Sequence, residues 1–75
     1  MNKTENENLQ INIKQRLIDA IKFSGMSQTE IAKKAHITSA TLSDYIHKDK
    51  RPSLETFAMI CDAIDASADE ILGLK

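Results

Sequence analysis

The sequence predicts an all-α fold, a bundle of five short helices without a strand. Apolar residues recur at helical spacing in successive windows, and no stretch alternates as a half-buried strand would. Ser27, Thr38, Ser53 and Ser67 each stand just ahead of such a window, where a hydroxyl can cap a helix. Gly25 and Pro52 punctuate the chain between windows. With 75 residues there is room for one small domain, which buries only about 60% of the surface its unfolded chain exposes.

The elements follow in order. Residues 1–10, MNKTENENLQ, are polar and lack an apolar period, so a loose N-terminal tail is expected, with the domain proper over residues 11–75. Lys3 is offset there by Glu5 and Glu7, a poor composition for a basic arm entering a minor groove. From Asn12 the pattern turns helical: Ile13, Leu17, Ala20 and Ile21 share a face, Asn12 and Gln15 can form a capping pair, and Gly25 is a natural stop. Ser27-Gln28-Thr29-Glu30 is a capping box opening a helix that carries Ile31, Ala32 and Ala35. His36-Ile37-Thr38 interrupts it. Thr38 then caps a helix from Ser39 to about His47, with Leu42 and Tyr45 turned inward and Ile46 beside them. A charged loop, Lys48 to Pro52, leads to Ser53 and a fourth helix with Leu54, Phe57, Cys61 and Ile64 on one stripe and Ile60 next to it. Asp65-Ala66 is a turn, and Ser67-Ala68-Asp69-Glu70 is a second Ser-x-x-Glu box ahead of Ile71, Leu72 and Leu74.

The composition, 41% apolar and 28% charged, is that of a globular domain. No apolar run is long enough for a membrane span and no secretory leader opens the chain, so an untargeted cytoplasmic protein is expected. The single cysteine, Cys61, leaves no internal disulfide and suits a reducing compartment. It falls on an apolar stripe and reads as a small core residue. His36 and His47 share no metal-ligand spacing, and neither a metal nor a cofactor is expected. No nucleophile–base pair, phosphate-cradling glycine loop or paired carboxylates can be placed on one cleft, which argues against an enzyme. The formal charge of −1 is unevenly spread. Residues 11–51 hold eight Lys/Arg against four Asp/Glu, whereas residues 52–75 hold one against five. A local positive field can attract phosphate even when the total is near zero.

Two short helices joined by about three residues, here Gln28 to His47, are the layout of a helix-turn-helix, whose second helix can enter the major groove. The residue types fit. Ala32 permits a close helix crossing, while Ile31, Ile37, Leu42 and Tyr45 can fix its angle. Ser39, Ala40, Thr41, Ser43 and Asp44 offer short side chains on the outward face of the second helix. Hydroxyls can donate or accept, Ala and Thr methyls can pack on a thymine methyl, and Asp can accept from cytosine N4.

Three segments in order carry a resemblance: Ser27-Gln28-Thr29-Glu30-Ile31-Ala32, Ile37-Thr38-Ser39-Ala40-Thr41-Leu42-Ser43, and Arg51-Pro52-Ser53-Leu54-Glu55-Thr56. With them the chain, over about residues 11–74, resembles the Cro/repressor (XRE-type) helix-turn-helix family. The resemblance implies a five-helix, lambda-repressor-like bundle whose second helix crosses the DNA backbone while the third reads bases. It implies a bacterial or phage transcriptional regulator, typically a repressor, bound to double-stranded DNA as a dimer on a palindromic operator. Carried onto this sequence, Gln28, Ser39, Ala40, Thr41, Ser43 and Asp44 become base readers. Gln28, Thr38, Lys48, Lys50 and Arg51 become phosphate contacts. Three positions depart from the family's glycines: His36 in the turn, Lys48 after the third helix and Asp65 after the fourth.

One short helix offers few base contacts, each good bidentate pair giving roughly 1–3 kcal/mol of discrimination. A homodimer spanning two half-sites would roughly double that. Ile18, Phe23 and Met59 fall off the inward stripes, and Met59, Leu72 and Leu74 are the candidate dimer contacts. The competing expectation is a helical protein-interaction module, of antitoxin or anti-repressor type, that keeps the fold without DNA recognition and binds a protein partner. The near-neutral charge and the acidic C-terminal third are its motive.

Overall fold

A computed structural model of the chain describes the backbone of residues 3–74 and the side chains of residues 12–74. It contains five helices, α1 (Lys3–Phe23), α2 (Gln28–Lys34), α3 (Ser39–His47), α4 (Leu54–Ala63) and α5 (Ala68–Leu72), with no strand among the described residues. The fold is the all-α bundle that the sequence predicts.

Hydroxyl side chains set where the four short helices begin. Ser27, Thr38, Ser53 and Ser67 accept hydrogen bonds from the backbone N–H groups of Glu30, Thr41, Thr56 and Glu70, at 3.0–3.3 Å. Replacing such a cap by alanine typically costs about 1 kcal/mol. Around Ser27 the box is reciprocal, because the Glu30 carboxylate accepts from the Ser27 backbone N–H.

Helices α2 and α4 end alike. After α2, His36 N–H donates to Lys33 and Ile37 N–H to Ala32, the paired bonds of a Schellman motif; after α4, Asp65 and Ala66 donate to Asp62 and Cys61 in the same pattern. The motif requires a left-handed residue, and His36 (φ 60°) and Asp65 (φ 55°) supply it without being glycine. Lys48, at φ −116°, is extended. Of the three positions where the related family favours glycine, two therefore carry backbone strain and the third carries none. His and Asp are among the side chains that tolerate this region best.

Helix α2 packs on α3 and α4, and α1 on α5. Ile31, Leu42 and Ile60 are the largest wholly buried side chains, and they belong to one core with Leu17, Ala32 and Ala35. Ala32 and Ala35 keep the α2 side of this core thin, so neighbouring backbones can come close. Arg16 ties α1 to the far end of the chain: its Nε donates to the Ile71 carbonyl at 2.6 Å. Its guanidinium also crowds Gly73, where a Cβ would come within 2.8 Å of Nη2.

Two local expectations change. The helical backbone of α1 reaches back to Lys3, where a loose tail through residue 10 was expected; the side chains of Lys3, Glu5 and Glu7 lie outside the described residues. No Gly or Pro interrupts residues 3–23, and extending an anchored helix is far cheaper than starting one. Asn12 and Gln15 are then interior to α1 rather than a cap, and Gln15 donates instead to Asp19 at 2.9 Å. On α4, Ile60 is central and Leu54 is 85% exposed. Leu54 shares the stripe but stands about 10 Å along the axis from Cys61, past the edge of the core. No described helix is long and apolar enough to cross a membrane.

His36→Gly should stabilise the domain by about 1 kcal/mol, because the left-handed penalty exceeds the entropy that glycine adds to the unfolded chain. Lys48→Gly should instead destabilise by about 0.5–1 kcal/mol, having no such strain to relieve. Urea unfolding of both variants checks this, and equal shifts of the two would contradict the strain assignment.

Candidate nucleic-acid interface

Helix α3 lies on the bundle surface with one face buried. Leu42 is wholly inside, Tyr45 and Ile46 pack against the core from partly buried positions, and Ser39 and Ala40 are exposed. Thr41, Ser43 and Asp44 are half-buried. The sequence-predicted readers Ser39, Ala40, Thr41, Ser43 and Asp44 thus share one short helix, with Leu42 alone among residues 39–44 turned fully inward. Gln28 is exposed at the first residue of α2.

The N-terminal turn of α3 differs from those of its neighbours. Helices α2, α4 and α5 carry Glu30, Glu55 and Asp69/Glu70 in their first turns, whereas α3 has no acidic residue there. The positive end of its dipole is therefore left without an internal carboxylate, as suits approach to a polyanion. The start is held by neutral groups: Thr38 Oγ1 accepts from Thr41 N–H at 3.0 Å and lies 2.8 Å from Thr41 Oγ1. The Thr41 hydroxyl already has a partner before any ligand arrives.

The C-terminal exit of α3 is a charge cluster. Lys48, Lys50 and Arg51 are exposed there, but each has an acidic neighbour. Asp44 Oδ1 is 3.3 Å from Lys48 Nζ and its Oδ2 is 3.5 Å from Lys50 Nζ; Arg51 Nη1 is 3.8 Å from Asp49 Oδ1. The hydrogen bond from Lys48 is the main cause holding the Asp44 carboxyl below its ordinary range, with the charges of both lysines adding and partial burial opposing. Asp44 is thus ionised and occupied, a state that the pattern of α3 alone did not suggest.

Lys14, assigned no role from sequence, reaches from α1 to the Lys48 backbone carbonyl and so fixes the exit of α3 from outside the motif. Its position was a signal of a kind. Lys14 lies three residues before buried Leu17, where a long side chain can run along apolar surface and deliver its charge beyond it. Cys61 is buried, and burial pushes its thiol pKa up, so it stays protonated and inert.

A capped helix pair with a tight left-handed turn, a polar outer face on its second helix and cations at the exit defines a DNA-binding helix-turn-helix. The helix-turn-helix family matches residues 24–71 of the chain. The chain belongs to that family, of the Cro/repressor (XRE) type, which comprises DNA-binding regulatory domains rather than enzymes. No match was found among curated proteins or among solved structures.

Because its folded pKa is depressed, Asp44 contributes stability that is present above its unfolded value and lost as pH falls through the folded one. A carbon-13 NMR titration of the Asp44 carboxyl should give a midpoint below 3.8. The double variant Lys48→Met/Lys50→Met should raise that midpoint, and no rise would mean that the lysines are not its partners.

Proposed function

We propose that this chain is a sequence-specific transcriptional regulator, acting as a repressor, that reads the major groove with α3. The observation that carries the reading is the pairing of two features on one helix. Ser39 and Ala40 offer short exposed side chains on α3 and Thr41 and Ser43 half-buried ones, and Lys48, Lys50 and Arg51 cluster just beyond its end. Thr38 caps the start of the reader, where the helix N-terminus suits a phosphate, and exposed Gln28 at the first residue of α2 is the further phosphate contact. The short side chains suit contact with base edges, and the cations suit the backbone alongside.

The regulator acts as a homodimer on a palindromic operator, in the cytoplasm of a bacterium or in a phage-infected cell. Met59 (44% exposed) and Leu74 (73% exposed), with half-buried Leu72, supply apolar area for the dimer contact. The motive is energetic, since a single short reading helix discriminates weakly.

Selection of binding sites from random duplexes is expected to return an inverted repeat with half-sites about one DNA turn apart. Affinity for the selected site should fall steeply with rising salt, by roughly 0.9 in log–log slope for each phosphate contact. Recovery of a single unrepeated half-site would contradict the dimer. Absence of binding to any duplex at low salt would leave a protein-interaction module as the function.

A further inference from the structure

Asp44 sits among the readers of α3, yet its contacts point away from base reading. Each of its carboxylate oxygens faces one ammonium, Lys48 Nζ at 3.3 Å and Lys50 Nζ at 3.5 Å. The carboxylate is the sheltered member, its side chain 27% exposed against 66% and 63% for the lysines. The arrangement is that of an anion held between two wet cations. The backbone of Lys48 is fixed independently: its N–H donates to the Asp44 carbonyl at 2.9 Å, and its own carbonyl accepts from Lys14. Only the lysine side chains need to move for the pairs to open. Exposed pairs of this kind are weak, so another anion can compete for the same ammoniums.

We infer that Asp44 is a specificity-determining positioning residue, whose carboxylate occupies between Lys48 and Lys50 the place a DNA phosphate takes. In the free protein the two lysines are engaged. Loosely associated DNA must compete with Asp44 for them, and only a duplex on which α3 is fully seated brings phosphates close enough to exchange. The carboxylate thereby weakens non-specific binding selectively. The inference rests on the DNA-binding reading of α3, and it replaces a base-reading role for Asp44 with one exerted through Lys48 and Lys50.

The test compares wild type, Asp44→Asn and Asp44→Glu on a random-sequence duplex and on the selected operator, between about 50 and 200 mM salt. Asp44→Asn should bind the random duplex about tenfold tighter at the low end, with a salt slope steeper by roughly 2, one phosphate contact for each lysine released. Asp44→Glu, which keeps the anion, should behave like wild type. Adding Lys48→Gln and Lys50→Gln to Asp44→Asn should remove the gain, which a purely structural role for Asp44 would not predict. Unchanged random-duplex affinity and slope in Asp44→Asn, with wild type still bound to its operator, would overturn the inference. So would a change confined to base preference at one operator position. Failure of wild type and Asp44→Asn alike to bind any duplex would overturn the DNA-binding reading and this inference with it.

Discussion

The burial of Leu42 from α3 in the same core as Ile31 of α2 and Ile60 of α4 is the contact on which the rest of the molecule depends. A nine-residue helix is too short to persist alone in water. It has a fixed outer face only because its inner face is locked to neighbours. Ala32 and Ala35 let that lock close by keeping the α2 surface thin, and truncating a wholly buried Leu or Ile removes about 2–5 kcal/mol. For a domain of this size that is a large share of the stability available. Reading face and core are two sides of one helix, so positioning and folding share the same energy.

The ends of α3 extend the same logic. Its start is held by neutral hydroxyls with no carboxylate, and its exit is held from α1 by Lys14 and from within by Asp44. Backbone strain is accepted at His36, immediately before the reader, because the Schellman turn there sets the direction in which the chain enters α3. At Lys48 the chain leaves in an extended conformation, so the exit needs no glycine and a lysine can stand there. Two of the three positions where this chain departs from its family pattern, His36 and Lys48, thus stand at the two junctions of the reading helix.

Most of the fold was legible in the sequence because helix starts are local chemistry. Ser27, Thr38, Ser53 and Ser67 each cap through a residue three positions on, and the spans of α2 and α3 follow from those caps and from His36-Ile37-Thr38. The start of α1 was not legible, because a polar stretch without breakers carries no periodic signal whether it is helical or not. Leu54 misled because periodicity reports angle round an axis and not distance along it. In the candidate site the residue types and the one helix that carries them could be read, as could the run of cations just beyond it. The pairing of Asp44 with Lys48 stands at i,i+4 spacing and was open to reading, but its second partner was not, since Lys50 reaches it from a loop whose path the sequence does not specify. Nor was the contact of Lys14 with Lys48, which are 34 residues apart.

The central claim is that the core holds α3 so that its outward face meets DNA, and mapping the contact surface residue by residue tests it most directly. Nitrogen-15 amide shifts followed during titration with the selected duplex should move most at Gln28, from Thr38 to Asp44 and from Lys48 to Arg51, with α4 amides little affected outside the dimer contact. Shifts centred on the acidic α4–α5 surface, with α3 unperturbed, would contradict the account.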